Sequence, residues 1–469
     1  MKTAIIGTGI TGLSAAYYLT KDKTKNNIVH LFDRRDRIGG VLETIEKSNC
    51  QIEQSADNFI TTVPWAVELC KELGLEKELV QTNPKARRTY VVRKNKLHLL
   101  PDGFLMMAPT RLLPLALTPL LSPFGKLRAA LEYIIPPRKD DVDESMANFV
   151  RRRLGKEVFE RMVEPLVSGI YASDMEKLSV LATLPRFREM ERKEYSLIRA
   201  MQKQLKANRA IHLEEQSGAR YSMFVTLSSG LTSLCKSLES NLPPDSVFLN
   251  CDVKKITKNS AGKWNVITDN TENNSTEYDN VVIAVSAAEA SRLLTEILPE
   301  LSAQLQKIYY EDSVVVTFAF RKAQIRIPLL GMGFVVPKTE GNPVLAGSFS
   351  KLKYSYRAPE DIELLRVFSG GARLPDAASI PDEKLIPLLF NGIKDILKIE
   401  GEPLWTQTAH WSKAMPQYYV GHRELITEIE SLAAKEPTIA LAGNYFNGVG
   451  IPNCIHSGQQ TAEKFCPAT

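Results

Sequence analysis

Gly7-Thr8-Gly9-Ile10-Thr11-Gly12 spells GxGxxG directly after the apolar run Ala4-Ile5-Ile6 and ahead of a helical pattern from Leu13 to Thr20. That spacing suits a pyrophosphate. The first glycine permits a tight turn, the second lets the backbone close on the phosphates, and the third lets helix and strand pack closely. Free N–H groups and the dipole at the helix N-terminus favour the anion. A second apolar run, Ile28 to Phe32, ends at Asp33, whose carboxylate suits the hydroxyls of an adenosine ribose. Strand, glycines, helix and acid in register predict a dinucleotide site. The glycines alone would be a structural turn, and Asp33 alone a solvated strand end.

Arg34-Arg35-Asp36-Arg37-Ile38-Gly39-Gly40-Val41 follows the acid. Arg37-x-Gly39-Gly40 in that place resembles the signature of large FAD flavoproteins rather than of NAD dehydrogenases. Two glycines let the chain pass beside a cofactor, and a nearby arginine can neutralise phosphate. A second such turn lies far along the chain, from Leu441-Ala442-Gly443 to Gly448-Val449-Gly450-Ile451-Pro452, and leads into a helix over His456 to Lys464. The amides opening that helix suit the electron-rich edge of a reduced flavin. Two nucleotide-domain turns in one chain predict FAD. The six histidines form no HExxH and the six cysteines no CxxC, so metal catalysis is not expected.

Several elements must hold these turns. Thr44 to Glu53 reads as a strand and Pro64 to Leu73 as an amphipathic helix, and residues 89–100 alternate as a hairpin around Lys94-Asn95-Lys96. From Pro101 to about Asn208 the pattern is helical. Strands return at Met223–Leu227, Val247–Leu249, Lys263–Thr268, Asn280–Val285, across 313–370, and at Thr438–Ala442. The expected fold class is α/β. It comprises a Rossmann-like FAD-binding domain of the glutathione-reductase type, interrupted by a mixed β-sheet substrate domain and an α-helical insert. The expected divisions are 1–82, 228–290 and 405–469 for FAD, 83–100, 209–227 and 291–404 for substrate, and 101–208 for the insert.

Composition sets outer bounds. Of 469 residues, 44% are hydrophobic and 24% charged, which is ordinary for a globular protein. The charge of +5 is too small and dispersed to mark a nucleic-acid partner. Scattered cysteines fit a reducing compartment. The run Leu112 to Leu121 is broken by Pro114 and Pro119 and falls short of the ~20 apolar residues of a membrane span. The chain enters a strand at Thr3 without a preceding signal peptide. A cytoplasmic location follows as the expectation.

The middle of the chain carries the most diagnostic residues: Glu144-Ser145, Phe149 to Gly155, Val163-Glu164-Pro165-Leu166-Val167-Ser168-Gly169-Ile170-Tyr171-Ala172-Ser173-Asp174, Lys177-Leu178-Ser179 and Ala182 to Pro185. With Met415 to Tyr418 and Gly448 to Pro452, this block resembles oxygen-dependent, FAD-containing porphyrinogen oxidases of the flavin amine oxidase superfamily, and the likeness spans the whole chain. It implies FAD contacts at Gly7 to Gly12, Asp33, Arg34, Gly39, Gly40, Val41, Asp57, Asn58, Val253, Trp411, Gly443, Val449, Gly450 and Ile451. Arg88 corresponds to an arginine that holds a substrate propionate in protoporphyrinogen-using members. Gly169 corresponds to a glycine facing the pyrrole N–H groups, and Val335, Val344 and Phe368 to apolar residues that sandwich the macrocycle. Ser55-Ala56-Asp57-Asn58-Phe59 departs from the family's Gly-Pro-Asp/Asn-Ser, Asn453 replaces a common Asp, and Ser229-Gly230 replaces a Gly-Gly pair.

The implied reaction removes six electrons and six hydrogens from a porphyrinogen by hydride transfer from a meso carbon to flavin N5, with O2 as acceptor and three H2O2 formed. It needs no acid or base from the protein, and no Ser/His/Asp or carboxylate pair presents itself. Arg88 favours protoporphyrinogen IX; coproporphyrinogen III by the same fold is the alternative. A flavin amine oxidase and a non-catalytic carrier stand behind both. The bland readings are a solvated cation for Arg88, a helix terminator for Gly169, β-core residues for Val335, Val344 and Phe368, and a sheet-edge residue for Trp411. The implied partners are the porphyrinogen, O2 and a ferrochelatase that takes the product. The insert around 101–137 could dock on the inner face of a cell membrane, or form its own core or a homodimer contact.

Overall fold

The computed structural model describes residues 1–214, 223–269 and 276–466. Five parallel strands carry its nucleotide end, in the order Val247–Phe248, Ile28–Phe32, Lys2–Ile6, Asn280–Ile283, Ile439–Leu441. Burial on both faces explains the unbroken apolar runs at Ala4-Ile5-Ile6 and Val281-Val282-Ile283. On one face the helices Ile10–Thr20 and Ile451–Phe465 pack with Ile5, Leu13, Leu31 and Ile455. A Cβ at Gly458 would lie 2.4 Å from the Thr11 carbonyl oxygen, so only glycine lets these helices touch there. On the other face Ile6, Phe32, Val281 and Ile283 join Trp264 and Tyr278 of a small antiparallel sheet.

The second sheet has seven strands, in the order Trp405–Pro416, Tyr310–Arg321, Ile362–Gly370, Ala346–Phe349, Gly333–Val335, Thr89–Arg93, Lys96–Leu99. Strand periodicity gives it two different faces. Tyr90, Val314, Val316, Phe334, Leu365 and Val367 pack against Leu385, Leu389 and Ile393 of the helix Asp382–Leu397. The alternate set, which includes Val91, Val335, Val315, Arg366 and Phe368, faces the helical insert and the cleft beside the parallel sheet.

The insert contains the helices Met146–Leu154, Glu164–Tyr171, Pro185–Glu194 and Leu197–Glu214. A buried ionic network crosses it. Glu132 accepts from Arg153 Nε at 3.1 Å, from the Leu197 N–H at 2.7 Å and from the Ser196 hydroxyl at 2.5 Å. Arg153 also donates to the carbonyls of Ile135 at 2.8 Å and Tyr195 at 2.9 Å. Glu191 pairs with Arg152 and Arg188. Among the described residues, no helix is long and apolar enough to cross a membrane.

Three expectations change. Thr44 to Glu53 is a hairpin, Thr44–Lys47 and Cys50–Glu53, turned by Ser48 (φ 50) and Asn49 (φ 59). Two left-handed residues in succession suit the twist of a tight hairpin. Trp405–Pro416, expected in the FAD domain, is an edge strand of the seven-stranded sheet beside Tyr310–Arg321. Phe224–Leu227, expected in the substrate domain, pairs with Phe59–Ile60 and Leu79–Gln81, and its Val225 and Leu227 enter the core under the parallel sheet. Within the expected 209–227 segment, residues 215–222 lie outside the described residues.

Candidate functional site

A cavity of about 960 Å³ runs from the ends of the parallel strands to the inner face of the seven-stranded sheet. This volume is at the upper end of the ~300–1,000 Å³ common for small-molecule sites. Its position outside the strand ends is where open α/β sheets bind nucleotides.

The glycine turn forms one end. Gly9 opens the helix Ile10–Thr20 with no side-chain cap, so the first-turn N–H groups stay available. A Cβ at Gly12 would lie 2.0 Å from the Gly7 carbonyl oxygen, so this turn excludes any side chain there. A Cβ at Gly9 would meet nothing within 4 Å; it would project into free space beside those amides. That space fits a pyrophosphate. Gly39 fastens the second turn to the first through its N–H on the Thr8 carbonyl at 2.8 Å.

Asp33 binds more than the sequence implies. Its Oδ2 accepts from the Thr8 N–H at 2.8 Å and the Thr8 hydroxyl at 2.7 Å, and its Oδ1 from the Arg35 N–H at 3.0 Å. A carboxylate has about four acceptor positions, so one remains for a ribose hydroxyl. Arg34 reaches Glu289 at 3.9 Å beside the same opening. Arg292 donates to the Val253 carbonyl at 2.8 Å, and both residues line the cavity.

The far end is apolar. Gly169, Ile170, Ala172, Val315, Leu345, Phe368 and Trp411 wall it, with Val449 and Ile451 on the side of the C-terminal turn. Trp411 is held by its indole N–H on the Gln54 carbonyl at 2.9 Å. Ser55 and Ala56 line the cavity beside it, while Asp57 lies behind them within ion-pair range of Lys353 at 3.2 Å, Arg366 at 3.3 Å and Arg357 at 3.7 Å. Burial would raise the Asp57 carboxyl pKa, but the three cations hold it well below the usual carboxylate range.

Of the residues expected at the site, Gly7, Gly9, Ile10, Thr11, Asp33, Arg34, Gly39, Gly40, Val41, Gly169, Val253, Phe368, Trp411, Gly443, Val449 and Ile451 line this one cavity. Thr8, Gly12, Asp57, Asn58 and Gly450 are not among the lining residues, although all but Asn58 adjoin one in the chain. Val335 faces Gly169 across the seam between sheet and insert, 3.8 Å from where a Cβ would stand.

Val344 and Arg88 are not brought to the wall. Val344 is fully buried on the opposite face, against Gly392 of the helix Asp382–Leu397. The cause is a β-bulge. The Leu345 N–H bonds the Phe368 carbonyl at 2.9 Å while Ala346 is the register partner of Phe368, so two residues oppose one. The alternation slips by one, and Leu345 takes the wall position. Arg88 is exposed and outside the lining. Lys413, missed from sequence, lines the cavity in a left-handed conformation (φ 44), its N–H held by Asp312 Oδ1 at 2.8 Å. It sits at an irregularity where Asp312 interrupts the pairing, and no pattern in the sequence marks it.

The family model described as flavin containing amine oxidoreductase matches residues 10–465. Coproporphyrinogen III oxidase of Bacillus subtilis (strain 168) is 34% identical over 97% of this chain and 96% of its own length. The chloroplastic protoporphyrinogen oxidase 1 of Arabidopsis thaliana is 30% identical over 98% of this chain and 86% of its own. A crystal structure from Exiguobacterium sp. 255-15, provisionally named a protoporphyrinogen oxidase, superposes with a TM-score of 0.86 at 28% identity, covering 99% of this chain and 98% of that one. The chain belongs to the flavin-containing amine oxidoreductases and, within them, to the FAD-dependent porphyrinogen oxidase family.

Proposed function

We propose that this flavoenzyme oxidises coproporphyrinogen III to coproporphyrin III in three two-electron steps, with O2 as the final acceptor and three H2O2 formed. The observation that carries the reading is the single cavity that joins the dinucleotide cradle to an apolar floor between Gly169 and Phe368. An electron-rich tetrapyrrole, puckered at its sp3 meso carbons until it is oxidised, fits such a slot with one meso edge toward the cofactor end. When bound, the flavin supplies a two-electron hydride acceptor, and each hydride leaves one negative charge on its ring. The protein's part is to hold and to dry. Phe368, Leu345, Ile170 and Val315 exclude water, and Trp411 keeps its place through Gln54. No side chain here is required as acid or base, because the pyrrole N–H proton leaves as the macrocycle tautomerises.

The choice of substrate reverses the weighting drawn from Arg88. That residue is exposed and off the wall, so it no longer argues for protoporphyrinogen. Lys307 and Lys413 are exposed on the cavity lining and suit carboxylates, of which coproporphyrinogen carries four and protoporphyrinogen two. The Bacillus relative's name supports the same choice. Protoporphyrinogen IX is the second reading, favoured by the names of the plant relative and the Exiguobacterium structure. Fluorescence-monitored oxidation of both porphyrinogens, prepared anaerobically, separates them. At least tenfold higher kcat/KM for coproporphyrinogen is expected, and the reverse ratio overturns the proposal.

The insert supports a peripheral hold on a membrane. Leu113, Leu117, Phe124, Leu127 and Ile134 are all more than 60% exposed on its short helices and the turn that follows them. Co-sedimentation with anionic liposomes at low salt is expected, and protein that stays in the supernatant refutes it.

A further inference from the structure

The wall at the Ser55–Ala56 loop hides a charge cluster that the reaction above does not use. Its members come from two distant segments: Glu53 and Asp57 from the hairpin and loop, Lys353, Arg357 and Arg366 from the helical turn and strand opposite. All but Lys353 are buried to less than one-tenth exposure, and the Lys353 side chain is 17% exposed. Arg357 reaches Glu53 at 3.6 Å and donates to the Asp57 carbonyl at 3.0 Å. Arg366 donates to the Ser55 carbonyl and lies over the Phe368 ring at 5.0 Å. Ser55 and Phe368 both line the cavity, so Arg366 stands one layer behind its surface.

Three cations face two acids. The excess is one positive charge, or two where Glu53 is protonated. Burying such an excess is costly unless something else offsets it. Hydrogen bonds do so only in part. Each guanidinium donates through Nη2, but the Nε of both Arg357 and Arg366 is buried without a partner among the described residues, and their Nη1 groups reach only Asp57 Oδ2, at 3.7 and 3.3 Å. A network evolved only to fasten a loop would be neutral and satisfied, as the one around Glu132 and Arg153 is. The missing negative charge belongs at the Trp411–Phe368 end, because Asp33, Val253 and Arg292 mark the other end for adenosine.

We propose that the Asp57–Lys353–Arg357–Arg366 cluster is an electrostatic positioning device that stabilises the negative charge of the reduced flavin ring and so raises the cofactor's reduction potential. The unbalanced cations act through the cavity wall. No residue of the cluster touches the substrate or transfers a proton. The proposal rests on the FAD assignment and not on which porphyrinogen is used. A unit charge acting over about 10 Å at an effective dielectric near 20 changes such an equilibrium about tenfold.

The test uses the FAD-loaded protein without porphyrinogen and reads sulfite binding, which places a negative charge on the ring and bleaches its visible band. Arg366→Gln removes a cation and is expected to weaken sulfite binding about tenfold, equivalent to a two-electron potential lower by about 30 mV. Asp57→Asn removes an anion and is expected to tighten sulfite binding by a similar factor. Lys353→Met replaces Arg366→Gln where that variant does not retain FAD, with the same expected direction. Opposite signs for cation and anion removal support the proposal. Shifts of the same sign, or affinities within twofold of the parent, overturn it and leave the cluster a fastening for the Ser55 loop.

Discussion

Two buried ionic networks, one in the helical insert and one behind the cavity, differ in the one respect that matters. Around Glu132 and Arg153 the side chains of Arg152, Arg153 and Arg188 meet Glu132, Glu144 and Glu191, and every one of these groups finds a hydrogen-bond partner. Around Asp57 the cations outnumber the acids, the Nε of Arg357 and of Arg366 finds no partner among the described residues, and both Nη1 groups share one oxygen of Asp57. The insert network ties together helices that also share an apolar core with Phe149, Phe159 and Phe187. The cavity network is an incomplete structure whose balance lies outside the polypeptide. Buried charge therefore marks function here by its imbalance, not by its burial.

Removing a partner should separate the two most clearly. Glu132→Gln leaves Arg153 facing an uncharged group in a fully buried site, and a loss of ~3–5 kcal/mol is expected by urea denaturation. FAD content per folded molecule should not change. Arg366→Met should show the reverse pattern. Its unfolding midpoint should fall less than that of Glu132→Gln, while the two-electron potential of its bound flavin drops by about 30 mV, read by equilibration with a redox dye. Equal profiles in the two variants would erase the distinction.

Proton linkage gives a subtler contrast. Burial pushes the Glu53 carboxyl up, and Arg357 only partly opposes it. Burial acts likewise on Glu191, but hydrogen bonds and charge from Arg152 and Arg188 bring its pKa below the ordinary value. The unfolded chain titrates near ~4.3 in both cases. A raised folded pKa means that the unfolded state gives up its proton first, so Glu53 lowers stability as pH climbs from ~4.3 through its folded value. Glu191 contributes stability at neutral pH that is lost as pH falls below ~4.3. Glu53→Gln should flatten the decline in unfolding midpoint as pH rises above ~4.3, and Glu191→Gln should flatten the loss as pH falls below it.

The smallest effect on stability is expected at the cavity floor. A Cβ at Gly169 would stand 3.7 Å from Ala346 Cβ and 3.8 Å from Val335, which is ordinary contact. Gly169→Ala should therefore shift stability by no more than ~0.5 kcal/mol. It should raise the KM for porphyrinogen severalfold, because the added methyl narrows the slot. An unchanged KM would remove Gly169 from the substrate surface.

The nucleotide end was the more legible in sequence, because its chemistry is carried by short-range patterns. Gly7, Gly9 and Gly12 lie within one turn, and Asp33 sits at the end of a run whose apolar character shows its burial. The substrate end depends on events that leave no such trace. One bulge at Leu345–Ala346 turns Val344 into the core, and another irregularity brings Lys413 to the cavity. The Thr44–Glu53 hairpin is hidden because Ser48 and Asn49 adopt left-handed conformations that neither residue type demands. The charge cluster is least legible of all, since Asp57, which the resemblance marks only as an FAD contact, and Arg366, which it does not mark, are separated by most of the chain.

The contact at Gly458 sets the order of events when the protein is made. The helix Ile451–Phe465 lies against Ile10–Thr20, and the strand Ile439–Leu441 completes the sheet begun by Lys2–Ile6. A nascent chain emerging residue by residue holds its phosphate turn half-built until these distant partners leave the ribosome. Pairings over such separations are slow to form and leave apolar surface exposed meanwhile. On this geometry cofactor capture follows completion of the chain, since truncation before Ile451 removes the C-terminal helix that packs on the phosphate-turn helix. Flavin supply then governs how many finished chains persist in the closed form, since bound cofactor stabilises only that form.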